Sequence, residues 1–115
     1  MAGLNQAPTG TITNGTSLSA AIYCGGQYFP CAILMPAAWT AASITFQISY
    51  DNSTFYNLYK EDGTEYTITS PAASNAIALT PGYFAGANYL KIRSGTSGTP
   101  VNQGADRIMT VLVKE

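Results

Sequence analysis

The sequence predicts a small all-β domain, on three observations. Apolar and polar residues alternate with a period of two between residues 43 and 68, as in half-buried antiparallel strands. Similar short segments recur along the chain between turn signals such as Asn14-Gly15, with almost no helical periodicity. At 115 residues the chain suits one domain. We therefore expect a single antiparallel β-sandwich of the jelly-roll kind with about eight or nine short strands, or secondly an up-and-down barrel.

The elements are predicted in chain order. Residues 1–11 contain Pro8 and no periodicity, which indicates an extended N-terminal arm or edge extension, with the sandwich domain over residues 12–115. A loop or one helical turn is expected at 37–42, a helical turn after Thr80-Pro81, and a long loop at 94–104. Strands are expected at 11–13, 18–24, 29–35, 43–50, 54–60, 64–69, 76–79, 87–93 and 107–114.

Two predicted strands have clear face assignments. The apolar face of the strand at 43–50 is predicted to hold Ile44, Phe46, Ile48 and Tyr50. The strand at 107–114 is apolar on both faces, with Ile108 and Leu112 on one and Met109, Val111 and Val113 on the other. Such a strand is either central in a sandwich or an edge strand covered by a neighbouring subunit.

The formal charge of the sequence is low. Charged residues make up 10% of it and the net charge is −1, whereas about 25% charged residues is typical of soluble domains. Repulsion between copies is then weak, so we expect an oligomer or a bound subunit. Five basic residues are scattered and offset by six acidic ones, which argues against direct binding to nucleic acid.

Targeting and membrane signals are not predicted. Residues 1–6 have neither a basic region nor an apolar stretch of the secretory type. The most apolar run, residues 31–38, contains Pro36 and is far too short to span a membrane. We expect synthesis as a soluble protein in a cytoplasm.

The sequence contains no histidine. This excludes Ser-His-Asp and Cys-His catalytic arrangements and removes the commonest zinc ligand. The acidic residues, Glu65 among them, belong to turns and strand ends, where solvated carboxylates are ordinary. The turn at 51–53 lacks the glycine and bidentate glutamate that complete a calcium loop. We therefore expect a protein that is not an enzyme, with no catalytic residue, metal or cofactor.

The two cysteines, Cys24 and Cys31, have two interpretations. The favoured one is a pair of small buried hydrophobic residues on adjacent strands in a reducing compartment. The other is a disulfide, since a hairpin loop over residues 25–29 would place the two side chains opposite each other.

Aromatic side chains are the remaining binding candidates. Those in the alternating strands are predicted to be mostly core, namely Phe46, Phe55, Tyr56 and Tyr66. Those in or near loops or on the other face are Tyr28, Trp39, Tyr59 and Tyr83. Stacking on sugars suits such residues, but the low charge favours subunit contacts for them.

Several segments resemble small proteins encoded among the virion genes of tailed bacteriophages. They are SITFQISYD at 43–51, FYNLY at 55–59, DGTEY at 62–66, LKIRSG at 90–95 and QGADR at 103–107. The resemblance covers residues 39–114, and its motifs are of medium specificity. Several such phage proteins are capsid decoration or cement proteins with jelly-roll or related β folds, which clamp neighbouring capsomers on the head.

The resemblance implies a non-enzymatic virion structural protein on the capsid surface, made in the host cytoplasm, whose partner is the major capsid protein. A homotrimer is the first choice of assembly and a dimer the second. The alternatives are a neck, tail or fibre module of the virion, and a carbohydrate-binding β-sandwich. The predicted contact regions are the arm at 1–11, Trp39 and the loop at 94–104. The candidate interface residues are Leu4, Pro8, Trp39, Tyr59, Tyr83, Pro100, Val101 and Met109.

Overall fold

The computed structural model describes residues 5–25 and 29–114. Its regular structure is almost entirely strand, with one 3-10 helix at Pro81–Phe84. The strands are β1 (Asn5–Gln6), β2 (Thr9–Ile12), β3 (Ile22–Tyr23), β4 (Phe29–Leu34), β5 (Ile44–Ser49), β6 (Tyr56–Asn57), β7 (Ala76–Ala78), β8 (Tyr89–Ser94) and β9 (Arg107–Lys114). In the described residues no helix is long and apolar enough to cross a membrane.

The strands form two antiparallel sheets. In the first sheet β9 lies between β4 and the pair β1 and β2, and β7 pairs with the other edge of β4. β1 and β2 pair with successive parts of β9, so together they form one interrupted edge strand. The second sheet has the order β3-β8-β5-β6. β9 is therefore the central strand that its two apolar faces predicted.

The strands pair in a nested order, in which strands early in the chain pair with strands late in the chain. β2 pairs with β9, β3 with β8, β4 with β7 and β5 with β6. These four pairs together form one long hairpin. The hairpin folds over so that β4 also pairs with β9 and β5 also pairs with β8. It is the jelly roll, and the predicted fold class is confirmed.

The core lies between the two sheets. Met109, Val111 and Val113 of β9 point inward, as their alternation predicted. Phe46 of β5 is completely buried and meets the Phe84 ring at 5.1 Å, edge to face. Burying a side chain of this size contributes roughly 1.5–3 kcal/mol. Packing of apolar side chains between the two sheets therefore stabilises the sandwich.

The described part of the N-terminal segment lies along one edge of the first sheet. Residues 5–6 and 9–12 pair with β9, and the Val111 N–H donates to the Pro8 carbonyl at 3.0 Å. Gly10 is also packed tightly, because a Cβ there would lie 2.6 Å from Ile22 Cγ1. The described part of the arm is thus a strand of the first sheet, and residues 1–4 lie outside the described residues.

Three predicted strands are shorter in the structure. The segment at 18–24 forms only β3 and a bridge from Leu18 to Arg93. The segment at 54–60 forms β6 and a bridge from Tyr59 to Glu65, and that at 64–69 forms isolated bridges alone. Local side-chain bonds compete with a continuous ladder here, since Thr67 Oγ1 donates to the Glu65 carbonyl at 3.0 Å.

The predicted turns are placed correctly. Gly15 has a φ of +80°, which a glycine adopts without strain, and the Thr16 N–H donates to the Thr13 carbonyl at 3.0 Å. The 3-10 helix begins at Pro81, directly after Thr80, and residues 37–42 form a loop.

Candidate interaction surfaces

The outward side of the first sheet is a mainly apolar surface, and Lys114 at the end of β9 is its one charged residue among those described. Side chains alternate between the two sides of a strand, and paired residues in antiparallel strands share a side. The neighbours of the buried Ile33, Met109 and Val111 along their own strands therefore point outward, together with the residues paired with those neighbours. We call this surface the apolar face, and its residues are Thr9, Thr11, Ala32, Leu34, Ala76, Ala78, Ile108, Thr110 and Leu112. Ile108 is 59% exposed and Leu34 37%.

A groove of about 480 Å³ lies at one end of the apolar face. It is lined by Leu34, Ile108 and Thr110, by residues 35–38, and by Asp106 and Arg107 at its charged rim. Asp106 Oδ1 accepts a bond of 2.7 Å from the Asn14 N–H, which holds this carboxylate toward the Asn14-Gly15 turn. The groove is large enough for one or two side chains of a partner.

The outward side of the second sheet has a different chemistry. Its exposed or half-buried residues are Tyr23, Gln47, Asn57, Tyr89 and Lys91, and we call this surface the polar face. The rings of Tyr23 and Tyr89 lie 5.1 Å apart on paired strands. Lys91 Nζ lies 4.3 Å from the centre of the Phe55 ring, a cation–π contact. Planar amides, tyrosine rings and one lysine therefore occupy a single surface.

A buried ion pair lies at the border of the polar face. Arg93 Nη1 is 3.3 Å from Glu65 Oε2, and the two side chains are only 8% and 12% exposed. Arg93 also donates to Thr45 Oγ1 at 3.2 Å and to Asn57 Oδ1 at 2.6 Å. The Ser97 N–H donates to Glu65 Oε1 at 3.1 Å. The expectation that Glu65 is a solvated acid is therefore wrong, because the loop after β8 folds over it.

A second polar centre forms around Gln103, whose side chain is buried. Gln103 Oε1 accepts from the Thr40 N–H at 2.8 Å and from Arg107 Nε at 3.0 Å. Gln103 Nε2 donates to the Thr40 carbonyl at 3.0 Å and to Ser94 Oγ at 2.7 Å. This one amide joins three segments, and sequence reasoning missed it because its partners are distant along the chain.

The predicted interface residues do not form one surface. Met109 is completely buried in the core, so its prediction as a surface contact is wrong; β9 is a central strand and this side chain points inward. Leu4 lies outside the described residues. Tyr59 and Pro100 are exposed, and Pro8 and Val101 are half-buried.

Trp39 and Tyr83 are half-buried and pack against the core. Trp39 Nε1 donates to the Ala42 carbonyl at 3.2 Å, and the Tyr83 hydroxyl donates to Glu61 Oε1 at 3.3 Å. Desolvation raises the pKa of Tyr83 above its usual value, and the Glu61 carboxylate raises it further. Neither ring is presented as a free platform for a ligand.

The aromatic core differs in part from its prediction. Phe46 and Tyr66 pack together at 5.7 Å, as expected of core residues. Phe55 is only half-buried, and Tyr56 is 62% exposed, because β6 is a short edge strand. Tyr28 lies outside the described residues.

Both cysteines are free thiols. Cys24 follows β3 in the second sheet, whereas Cys31 belongs to β4 in the first and is half-buried. The two cysteines are therefore not on paired strands, which departs both from the hairpin of the disulfide alternative and from the adjacent strands of the favoured interpretation. Burial raises the pKa of the Cys24 thiol to about 11, which makes it a poor nucleophile at neutral pH.

The acidic turns are structural. Asp51 Oδ1 accepts from the N–H groups of Thr54 at 3.0 Å and Ser53 at 2.9 Å, and these bonds lower the pKa of Asp51. Within residues 5–25 and 29–114, no three His, Cys, Asp or Glu side chains lie close enough to hold a metal ion. Every buried side-chain nitrogen or oxygen in that part of the chain has a hydrogen-bond partner.

Comparisons of the chain with protein-family models, with curated proteins and with solved structures find no match.

Proposed function

We propose that the chain is a non-enzymatic structural protein of a tailed-phage virion, which decorates the capsid by binding the lattice of the major capsid protein. The observation that carries this proposal is the apolar face. It extends across four strands of the first sheet and carries no formal charge between the groove and Lys114, at the opposite end of β9. A surface of this kind fits a partner surface that is also uncharged, since charged residues are depleted from the centres of protein interfaces.

Ile108 and Leu34 anchor the proposed contact. Both are large apolar side chains left exposed on neighbouring parts of the face, beside the groove. A side chain of the partner that fills the groove would bury both of them at once. Exposed apolar patches bordered by polar residues are typical of interaction sites.

The interior supports a structural role. Every buried side-chain nitrogen or oxygen of the described residues has a hydrogen-bond partner. In the buried Arg93–Glu65 ion pair, Arg93 also donates to Asn57 Oδ1 and Glu65 also accepts from the Ser97 N–H. Jelly rolls occur in viral capsid proteins and in lectins, so the fold suits both a virion protein and a sugar-binding one without deciding between them.

Many weak contacts on one closed shell give strong attachment. Each subunit would contact neighbouring capsid proteins, and the avidity of an assembled oligomer exceeds the affinity of one subunit. Self-association as a homotrimer, or secondly as a dimer, belongs to the same proposal, and the low net charge of −1 supports it.

The test combines imaging and a charge placed on the apolar face. Particles from a host that carries the gene are examined by cryo-electron microscopy, and purified protein is sedimented with emptied heads. We expect regular density on the capsid shell, and loss of sedimentation for Ile108→Lys. Tyr56→Lys is the control, because Tyr56 is equally accessible but lies outside the apolar face.

Density found only on a neck, tail or fibre would assign the protein to that part of the virion instead of the capsid. Absence of the protein from particles, or full binding of Ile108→Lys to heads, would overturn the proposed use of the apolar face.

A further inference from the structure

We propose that the polar face binds an oligosaccharide. This site is separate from the proposed capsid contact, because the outward sides of two packed sheets point in opposite directions. Its residues are Tyr23, Gln47, Asn57, Tyr89 and Lys91, from all four strands of the second sheet.

A fixed donor and acceptor form the polar part of the site. Asn57 Oδ1 accepts from Arg93 Nη2 at 2.6 Å and from Gln47 Nε2 at 3.3 Å. These two bonds assign the amide orientations and leave Asn57 Nδ2 as a donor and Gln47 Oε1 as an acceptor, neither with a partner among the described residues. Two neighbouring hydroxyl groups of a sugar ring offer the matching acceptor and donor.

The amide pair is held in place before any ligand arrives. Arg93 is fixed by the buried Glu65 carboxylate and by Thr45 Oγ1, so its contact to Asn57 comes from a rigid neighbour. A ligand that binds here therefore loses little affinity to the ordering of side chains. This explains how a short, two-residue edge strand such as β6 presents a defined polar group.

Aromatic surface lies beside the amides. Tyr89 pairs with Ser49 on β5, two residues along from Gln47, which corresponds to about 7 Å. Tyr23 lies on the far side of Tyr89 and is 62% exposed. Tyrosine rings supply flat apolar area with a polar edge, which suits the C–H face of a sugar ring. Lys91, in the row of Gln47, supplies further donors for hydroxyl groups.

The charge of the face favours a sugar over other polar ligands. Lys91 is its one cation without an ion-pair partner in the described residues, since Arg93 is neutralised by Glu65. Single-stranded nucleic acids bind grooves with several positive charges, and protein partners bind larger apolar areas. An oligosaccharide needs neither. Trp39, the sugar platform considered from sequence, packs against the core and is not part of this face.

The experiment is a glycan array with the full chain, followed by calorimetric titration of the strongest glycan. Tyr23→Ala is expected to weaken binding about tenfold, because it removes the most exposed ring of the face. Asn57→Asp keeps the acceptor for Arg93 and Gln47 but loses the outward donor, and is expected to weaken binding to a similar extent. Tyr56→Ala is the matched control, since Tyr56 has the same exposure as Tyr23 and lies on the opposite side of β6 from Asn57.

The variants are checked for unchanged thermal unfolding before binding is measured. Absence of any array signal for the wild-type chain would overturn the proposal. Equal losses for Tyr23→Ala and Tyr56→Ala would do so too, because they would place the glycan elsewhere. Sedimentation with heads is measured separately, so a failure here is distinct from a failure of the capsid proposal.

Discussion

The two outward faces of this sandwich differ in how many charged residues they carry and in how far loops cover them. The first sheet has one charged outward residue among those described, Lys114 at the end of β9, and leaves Leu34 and Ile108 in solvent. The second sheet carries Lys91 and Arg93 on successive outward positions in the middle of β8. The difference in coverage comes from loops that pack on the second sheet. The residues after β8 and the segment around Glu65 cover part of the second sheet and neutralise Arg93 there. Part of the second sheet's outward side is thus buried under loops, whereas the apolar face remains accessible for contact.

The largest expected effect concerns the covered charge. Arg93→Met leaves Glu65 buried without its partner, and we expect the free energy of unfolding to fall by about 3–5 kcal/mol. Lys91→Met, two residues away on the same side of β8, should change it by less than about 0.5 kcal/mol. Urea unfolding monitored by tyrosine fluorescence measures both. Equal effects of the two variants would contradict the distinction between a covered and an open part of the polar face.

The next effect concerns the loop that covers Arg93. Gly95 has a φ of +90°, and a Cβ there would lie 2.5 Å from the Thr99 carbonyl oxygen. Gly95→Ala should destabilise the fold by about 1–3 kcal/mol, because both the backbone conformation and the contact become strained. Gly98 has no neighbour within 4 Å of such a Cβ, so Gly98→Ala is the control. If thermal unfolding shifts equally for both, the loop is not held as described.

On the apolar face, by contrast, a charge should cost little stability. Ile108→Lys changes an exposed position, and we expect a change of less than about 0.5 kcal/mol in the free energy of unfolding. The same variant should reduce the oligomer fraction in sedimentation velocity if the subunits associate through this face. A large loss of stability would show that Ile108 supports the fold rather than a contact.

The smallest effect is acid sensitivity at the edge of the polar face. Hydrogen bonds from Thr54, Ser53 and Ser49 lower the pKa of Asp51 in the folded protein, so its ionised form stabilises the fold. This contribution is complete above a pH of about 4, the unfolded value, and is lost as the pH falls through the lower folded pKa. Asp51→Asn should flatten the dependence of the urea midpoint on pH in this acidic range. An unchanged slope would argue against the bonds to Asp51.

Local patterns in the sequence were enough to predict the class of fold. The alternation of Ile44 and Phe46 with Thr45 and Gln47 assigned the two sides of β5 correctly. The alternation in β9 places Ile108 and Met109 on different faces, yet the sequence predicts Met109 as a contact residue, because nothing local distinguishes a strand covered by its own chain from one covered by a partner.

The nested pairing and the buried polar contacts were not predictable in the same way. Glu65 and Arg93 are 28 residues apart, and Gln103 and Thr40 are 63 apart. Their contacts follow from how the loops pack, which has no short-range signal. One clue was present for the ion pair: Arg93 lies between Ile92 and Ser94 near the end of a predicted strand, and a charge that is buried in a strand needs a partner.

Because β9 lies in the centre of the first sheet, that sheet is completed late during synthesis. β2 and β4 flank β9 in the sheet but are made long before it. A chain still on the ribosome and shorter than 107 residues holds both strands with their shared neighbour absent, so the first sheet closes only after residue 114 has left the exit tunnel. Until then the nascent chain exposes apolar strand edges, and chaperone binding before release is the expected consequence.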